Sequence, residues 1–321
     1  MDTGALFVML KNVLMFVLLA VPGYVMARTG ALKQEASAPL SRLLMNVGLP
    51  FLVLSGTADK LELTGEVALE FLLVFLLGAG FLALTAHLSR PLTAGEKDVR
   101  VRGMMRFAAV FNNNGFLGVP LAAAVFGSGR VLTLVVILNV VNNVLMNTLG
   151  VYLVTGDKSS MKPKKALLNP VLIAFLLGIL LNLLKVRERL PEAMTYCNYF
   201  SGIVTPVSMT VIGVKLASVR FRDLFTGRRV WYVSFLRLIL FPALAVGAAF
   251  LARLLFPGGT VDADWIRAAF IGFSMPTAAL ATAFADEFQG DADGAVKYTL
   301  GTTVWSALTI PLLYALLCAA L

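Results

Sequence analysis

The chain has 321 residues, a formal net charge of +9 and a mean hydropathy of +0.85; 59% of its residues are hydrophobic and only 14% charged. Soluble domains are about 45–50% apolar and about 25% charged, so this composition excludes an ordinary soluble enzyme and describes a polytopic membrane protein. The bases sit in short segments between apolar runs, where membrane orientation accounts for them and nucleic-acid binding does not.

A membrane span needs about 20 mostly apolar residues. Ten stretches qualify: 5–27, 38–57, 66–88, 104–126, 131–154, 169–186, 196–218, 230–255, 266–286 and 295–320. The first is longer than a signal-peptide core and lacks a basic segment before it, so it reads as a transmembrane helix. The links between spans are too short to fold alone. With the N-terminus outside, about eighteen Lys and Arg fall on inner links and helix ends and about seven on outer ones. This predicts a multi-pass protein of the cell (inner or plasma) membrane with both termini outside the cytoplasm.

Five spans (1–155) precede a basic cytoplasmic link (156–168) and five follow it (169–321). An odd number of spans per half makes the halves enter from opposite sides, which predicts inverted repeats. Asn46 and Pro50 in span 2 have weak echoes in Thr205 and Pro206 of span 7.

Spans 4 and 9 break near their middles. Span 4 carries Asn112, Asn113, Asn114 and Gly115, then Gly118 and Pro120; span 9 carries Ser274, Met275, Pro276 and Thr277. The asparagines lie about ten residues, roughly 15 Å, from the inner end. The second break is about as deep from the outer end. Paired broken helices in corresponding places are a pointer to a transporter's binding site. Each break predicts a new half-helix N-terminus, near Gly115 and near Thr277, whose free N–H groups and dipole favour an anion. Glycines 115 and 118 permit close backbone approach, and Pro120 removes one helical N–H.

The motif Asn113-x-x-x-x-Gly118-x-Pro120-Leu121 resembles the crossover helix of the auxin efflux carrier family. Met275-Pro276-Thr277, Phe284-Ala-Asp-Glu-Phe288 and Thr309-Ile-Pro311 resemble its last two helices, and Asn169-Pro170 its sixth. The resemblance covers essentially the whole chain. It implies a fold akin to the bile-acid:sodium symporters: ten transmembrane helices in two inverted five-helix repeats, with helices 4 and 9 crossing. It implies a scaffold of helices 1, 2, 6 and 7, a transport domain of helices 3–5 and 8–10, and homodimerisation through the scaffold. It further implies an organic anion at the crossover, for which bacterial relatives suggest malonate or malate. Plant members have a proline where this chain has Asn112 and many have a long hydrophilic central loop, so a small carboxylate fits this chain better than auxin.

Other polar residues leave alternatives open. Asn139, Asn142, Asn143 and Asn147 share roughly one face of span 5, either as interhelical glue or, with Asn139 and Asn143 foremost, as site lining. Thr302, Thr303 and Ser306 of span 10 stand the same way. Arg237, inside span 8, either snorkels, pairs with carbonyls or draws the anionic ligand; Lys11 reads as interfacial. His87 and Glu70 are the candidate proton carriers, though both sit near span ends. Sodium coupling is less favoured, since nothing acidic lies between Phe270 and Ala285. Trp231, Tyr232 and Trp265 read as interface anchors. Cys197 and Cys318 give no disulfide framework, and no metal, cofactor or catalytic motif is present.

The sequence therefore predicts a secondary carrier of a small organic anion, with no enzymatic activity. A cation-coupled carrier of another substrate and a carrier-fold membrane sensor are the alternatives.

Overall fold

The computed structural model describes residues 3–60, 65–127, 130–161, 168–255 and 261–321. Lys162, Lys164 and Lys165 of the predicted basic link lie outside them. Among the described residues the chain is all-helical. The helices are α1 (Thr3–Arg28), α2 (Gln34–Ala58), α3 (Gly65–Leu92), α4 (Val99–Val110), α5 (Asn114–Phe126) and α6 (Arg130–Thr155). They continue as α7 (Pro170–Leu183), α8 (Pro191–Ala217), α9 (Arg228–Leu255), α10 (Ala263–Ser274), α11 (Ala281–Glu287) and α12 (Ala292–Ala320).

Seven of these are long and apolar enough to cross a bilayer: α1, α2, α3, α6, α8, α9 and α12. The other predicted spans are shorter pieces. Spans 4 and 9 are split into α4–α5 and α10–α11, and span 6 is the fourteen-residue α7. Large apolar side chains on α1, α3, α7, α9 and α12 face outward, among them Leu14, Leu76, Leu180, Leu251 and Leu312. That is the surface a hydrocarbon solvent requires.

Local chemistry fixes the helix ends. Asp98 caps α4 by accepting from the N–H of Arg100 at 2.9 Å, and Asp262 caps α10 by accepting from that of Asp264 at 3.1 Å. Asn169 caps α7 through the Val171 N–H at 2.8 Å, with Pro170 in the first turn, where no N–H is needed. Both α4 and α10 then run for twelve residues, about 18 Å at 1.5 Å per residue.

Wide π-type turns occur at Leu44–Gly48, Asn114–Gly118, Met146–Gly150 and Leu236–Leu240. In three of the four, a proline follows two residues on: Pro50, Pro120 and Pro242. A proline ring clashes with the carbonyl four residues back, and a widened turn relieves the clash without ending the helix.

Helix α6 is the most buried long helix, with 72% of its apolar window inside the protein. It packs on α3, α5 and α10 at the centre of the main core. Around it, α1 packs closely along α8, and α2 along α7. An added Cβ at Gly213 would lie 2.0 Å from the Ala20 carbonyl, and one at Gly23 would lie 2.2 Å from the Thr210 carbonyl. Glycine is required there because two membrane helices touch backbone to backbone.

Candidate functional site

The two breaks meet each other. Between α4 and α5 the chain is extended at Phe111, and between α10 and α11 it is extended at Met275. Asn112 and Thr277 face each other as an isolated antiparallel bridge. The Asn113 N–H donates to the Pro276 carbonyl at 2.7 Å, and the Ala278 N–H donates to the Phe111 carbonyl at 3.0 Å. Each break thus satisfies backbone groups that the other has freed, which is the condition for irregular backbone at membrane depth.

Side chains complete the accounting. Asn112 Nδ2 donates to the Gly272 carbonyl at 2.6 Å, while its Oδ1 accepts from the Asn114 N–H at 3.0 Å. The Asn142 amide closes on the backbone of Asn112, donating to its carbonyl at 3.1 Å. Thr277 donates its hydroxyl to the Ala108 carbonyl at 2.8 Å, and its N–H to Thr302 Oγ1 at 3.0 Å. The Arg237 guanidinium donates from Nη1 to Ala109 O at 3.0 Å and Val110 O at 2.8 Å, and from Nη2 to Phe273 O. These are carbonyls at the C-terminal ends of α4 and α10, and Arg237 is only 1% exposed. Of the three readings open for Arg237, snorkelling is overturned and carbonyl pairing observed. An interior site lined with orphan carbonyls holds the guanidinium better than a distant interface could.

Beside the crossover lies a small cavity of about 20 Å³, room for about one water. Asn113, Gly115, Asn139 and Asn143 line it, together with Asn112 and Asn142. Two of these amides present donors without a protein partner: Asn113 Nδ2 and Asn139 Nδ2, both buried. The Asn139 orientation follows from its neighbour, because Asn143 Nδ2 donates to Asn139 Oδ1 at 2.9 Å. The first intrahelical acceptor of α5 is the Asn113 carbonyl, taken by the N–H groups of Leu117 at 3.1 Å and Gly118 at 3.4 Å. The N–H groups of Gly115 and Phe116 therefore precede the helical ladder, beside the same cavity.

The remaining predicted residues lie close by but do not line the cavity. Asn114 Nδ2 donates to the Val135 carbonyl at 3.3 Å. Gly118 is where α5 meets Asn114 and Met275: an added Cβ would stand 2.0 Å from Asn114 Oδ1 and 3.0 Å from Met275 Cγ. Pro120 sits in the first turn of the regular part of α5. Ser274, Met275, Pro276 and Thr277 are buried, with the Ser274 hydroxyl unpartnered.

The second half-helix begins at Ala281, not near Thr277, and runs for only seven residues. The Thr277 N–H is held by Thr302, and Pro276 and Thr277 are committed to the bridge, so the helix starts only after a further turn. Of the helical ends at the crossover, α5 alone offers a sizeable N-terminus.

Sequence reading passed over Ala278, Ala279, Leu280, Leu49 and Met146, which complete the cavity wall. Apolar residues give no signal of this kind. It also passed over Lys215, whose Nζ donates to Thr282 Oγ1 at 2.6 Å and to the Ala279 carbonyl at 3.3 Å, from α8 to the segment after the second break. Thr302 is glue, while Thr303 and Ser306 face a separate apolar cavity of about 440 Å³ between α1, α5, α8 and α12. Glu70 ties α3 to the starts of α6 and α10, accepting from Trp265 Nε1 at 2.7 Å and from Arg130 Nε at 2.9 Å. His87 is exposed on α3.

Comparison with known proteins identifies the family. Residues 8–314 match the model of a family described as membrane transport protein. An uncharacterised transporter of Methanothermobacter thermautotrophicus is 30% identical over 305 residues, covering 94% of this chain and 96% of the relative. An uncharacterised transporter of Methanocaldococcus jannaschii is 27% identical over 217 residues, 64% of this chain and 68% of that protein. With its crossover motif and a match over nearly its whole length, the chain belongs to the membrane transport protein family that includes the auxin efflux carriers.

Proposed function

We propose that this protein is a secondary transporter of a small organic anion, a carboxylate such as malonate or malate, which binds at the crossover and moves by alternating access. The observation that carries the reading is the pair of unpartnered amide donors, Asn113 Nδ2 and Asn139 Nδ2, on one cavity beside the start of α5. Buried donors without acceptors destabilise the protein by about 1–3 kcal/mol each. Carboxylate oxygens supply those acceptors, and the N-terminal end of α5 favours their negative charge.

In this reading α4–α5 and α10–α11 are two broken spans, and the ten spans form two inverted repeats, 1–155 and 169–321, with both termini outside. Helices α1, α2, α7 and α8 form the scaffold; α3–α6 and α9–α12 form the part that moves. The close pairing of α1 with α8 and of α2 with α7 supports this division. So does the apolar cavity of about 440 Å³ at the boundary between the two groups. The water-sized volume beside Asn113 describes a closed form, and the ligand enters when the crossover moves away from Leu49 of α2.

The test is flux of labelled malonate and malate in proteoliposomes under imposed sodium, proton and potential gradients. Saturable flux that Asn113→Ala abolishes in a folded protein is the expected result. If no carboxylate moves under any gradient, the substrate class is wrong.

A further inference from the structure

The C-terminal end of a broken helix is an obstacle to an anion site. Helix α4 ends at Val110, and α5 starts at Asn114. A helix end carries about half a charge, negative at the C-terminus and positive at the N-terminus. Across a break of three residues the two ends stand side by side and largely cancel. The C-terminal end of α10 adds a second negative end at the same place, and the seven-residue α11 contributes little to balance it. Two bare breaks of this kind would repel a carboxylate as much as attract it.

The structure places one fixed positive charge where those negative ends meet. Arg237, carried on the wide turn Leu236–Leu240 of α9, donates to Ala109 O and Val110 O from α4 and to Phe273 O from α10. It is among the largest fully buried side chains of the described residues. Among the described residues no carboxylate pairs with it, and its Nε has no acceptor. The wide turn matters, since a regular helix would direct residue 237 differently relative to Pro242 and the crossover. A buried charge without a counter-ion is destabilising unless something offsets it; here the helix ends do so in part, and a bound anion nearby would complete the balance.

We infer that Arg237 is the charge-setting residue of the transport site: it joins the C-terminal ends of both broken helices, cancels their negative field, and leaves the α5 N-terminus and the Asn113 and Asn139 donors to select an anion. It is a positioning residue and touches no ligand in this arrangement. The inference rests on the anion-transport reading and adds to it the origin of the charge preference.

The experiment compares a charged ligand with its neutral isostere. Binding of malonate and of malonamide to purified protein is measured by thermal stabilisation and by competition, for wild type, Arg237→Gln and Arg237→Lys. Wild type is expected to prefer malonate. Folded Arg237→Gln should lose about tenfold or more of that preference, since the charge is gone from a low-dielectric site. Arg237→Lys should keep the preference while transporting more slowly, because an ammonium cannot hold both helix ends in the same fork. A folded Arg237→Gln protein with the wild-type ratio overturns the inference. If the Gln variant does not fold, the Lys variant decides: retained preference supports the inference and lost preference overturns it. A wild type that prefers malonamide, or binds neither, overturns the anion reading itself, and this inference with it.

Discussion

Asn113 and Pro276, in the breaks between α4 and α5 and between α10 and α11, are joined by a 2.7 Å hydrogen bond from the Asn113 N–H to the Pro276 carbonyl. The bond fixes Asn113 from the backbone and leaves its side chain free to face the cavity. Its neighbour Asn112 has the opposite arrangement, with both ends of its amide engaged by Gly272 O and the Asn114 N–H. Adjacent asparagines therefore differ: Asn112 spends its amide on the crossover, while Asn113 Nδ2 has no protein partner.

That division predicts two different phenotypes. Asn113→Ala removes a donor with no protein partner, so stability should hold while apparent affinity for a carboxylate falls about tenfold or more. Asn139→Ala should weaken affinity alike but also loses the bond from Asn143 Nδ2 to Asn139 Oδ1, costing about 1 kcal/mol. Hydrogen bonds to charged groups are worth about 1.5–3 kcal/mol. Asn112→Ala strands the Gly272 carbonyl and the Asn114 N–H, and should destabilise by about 1–3 kcal/mol for each. Melting temperature in detergent and flux in proteoliposomes, measured on all three variants, separate the roles; equal loss of stability in all three would contradict them.

Close helix approach gives a second prediction. Gly213→Ala drives a Cβ into the Ala20 carbonyl, at 2.0 Å, so α1 and α8 must move apart. The expected destabilisation is about 1–3 kcal/mol or more. Gly80→Ala meets nothing within 4 Å and serves as the control, with unchanged or slightly raised stability. Thermal melts of the two variants side by side check this.

Lys215 links α8 to the segment after the second break through Ala279 and Thr282. If α8 belongs to the scaffold, this contact must break whenever the transport domain moves. Lys215→Met should then favour the moved state. In a Cys197→Ser, Cys318→Ser background, an Ala279→Cys thiol should react faster with a membrane-impermeant reagent when Lys215 is replaced. An unchanged labelling rate would show that Lys215 does not restrain the motion.

Where α3 meets the starts of α6 and α10, Glu70 accepts from both Arg130 and Trp265. Glu70→Gln keeps an acceptor for the indole but loses the ion pair, so its effect should stay within about 1 kcal/mol and shrink in high salt. Glu70→Leu removes both interactions and should be the more damaging at every ionic strength. Melting curves at low and high salt distinguish the two.

Much of the organisation was legible along the chain. Apolar runs located the helices, because a bilayer admits only segments that satisfy their own backbone. Asn112–Gly115 and Met275–Thr277 located the breaks, because a run of asparagines before glycine, and a proline, weaken a helix within an apolar stretch. Counting residues gave each break about the same distance from its helix start, and α4 and α10 run for twelve residues each.

What sequence could not determine is who satisfies the groups each break sets free. That answer depends on segments about 160 positions apart meeting in space, as Asn112 and Gly272 do. Only the tertiary structure decided that the Asn113 side-chain donor is unpartnered and Asn112 engaged, that α11 begins at Ala281, and that Arg237 ends on three carbonyls instead of at an interface. Hydrophobicity and helix propensity are local and can be read one residue at a time. The pairing of a buried donor with its acceptor belongs to the folded arrangement, and at this crossover that pairing separates the amides engaged by the protein from those left without a partner.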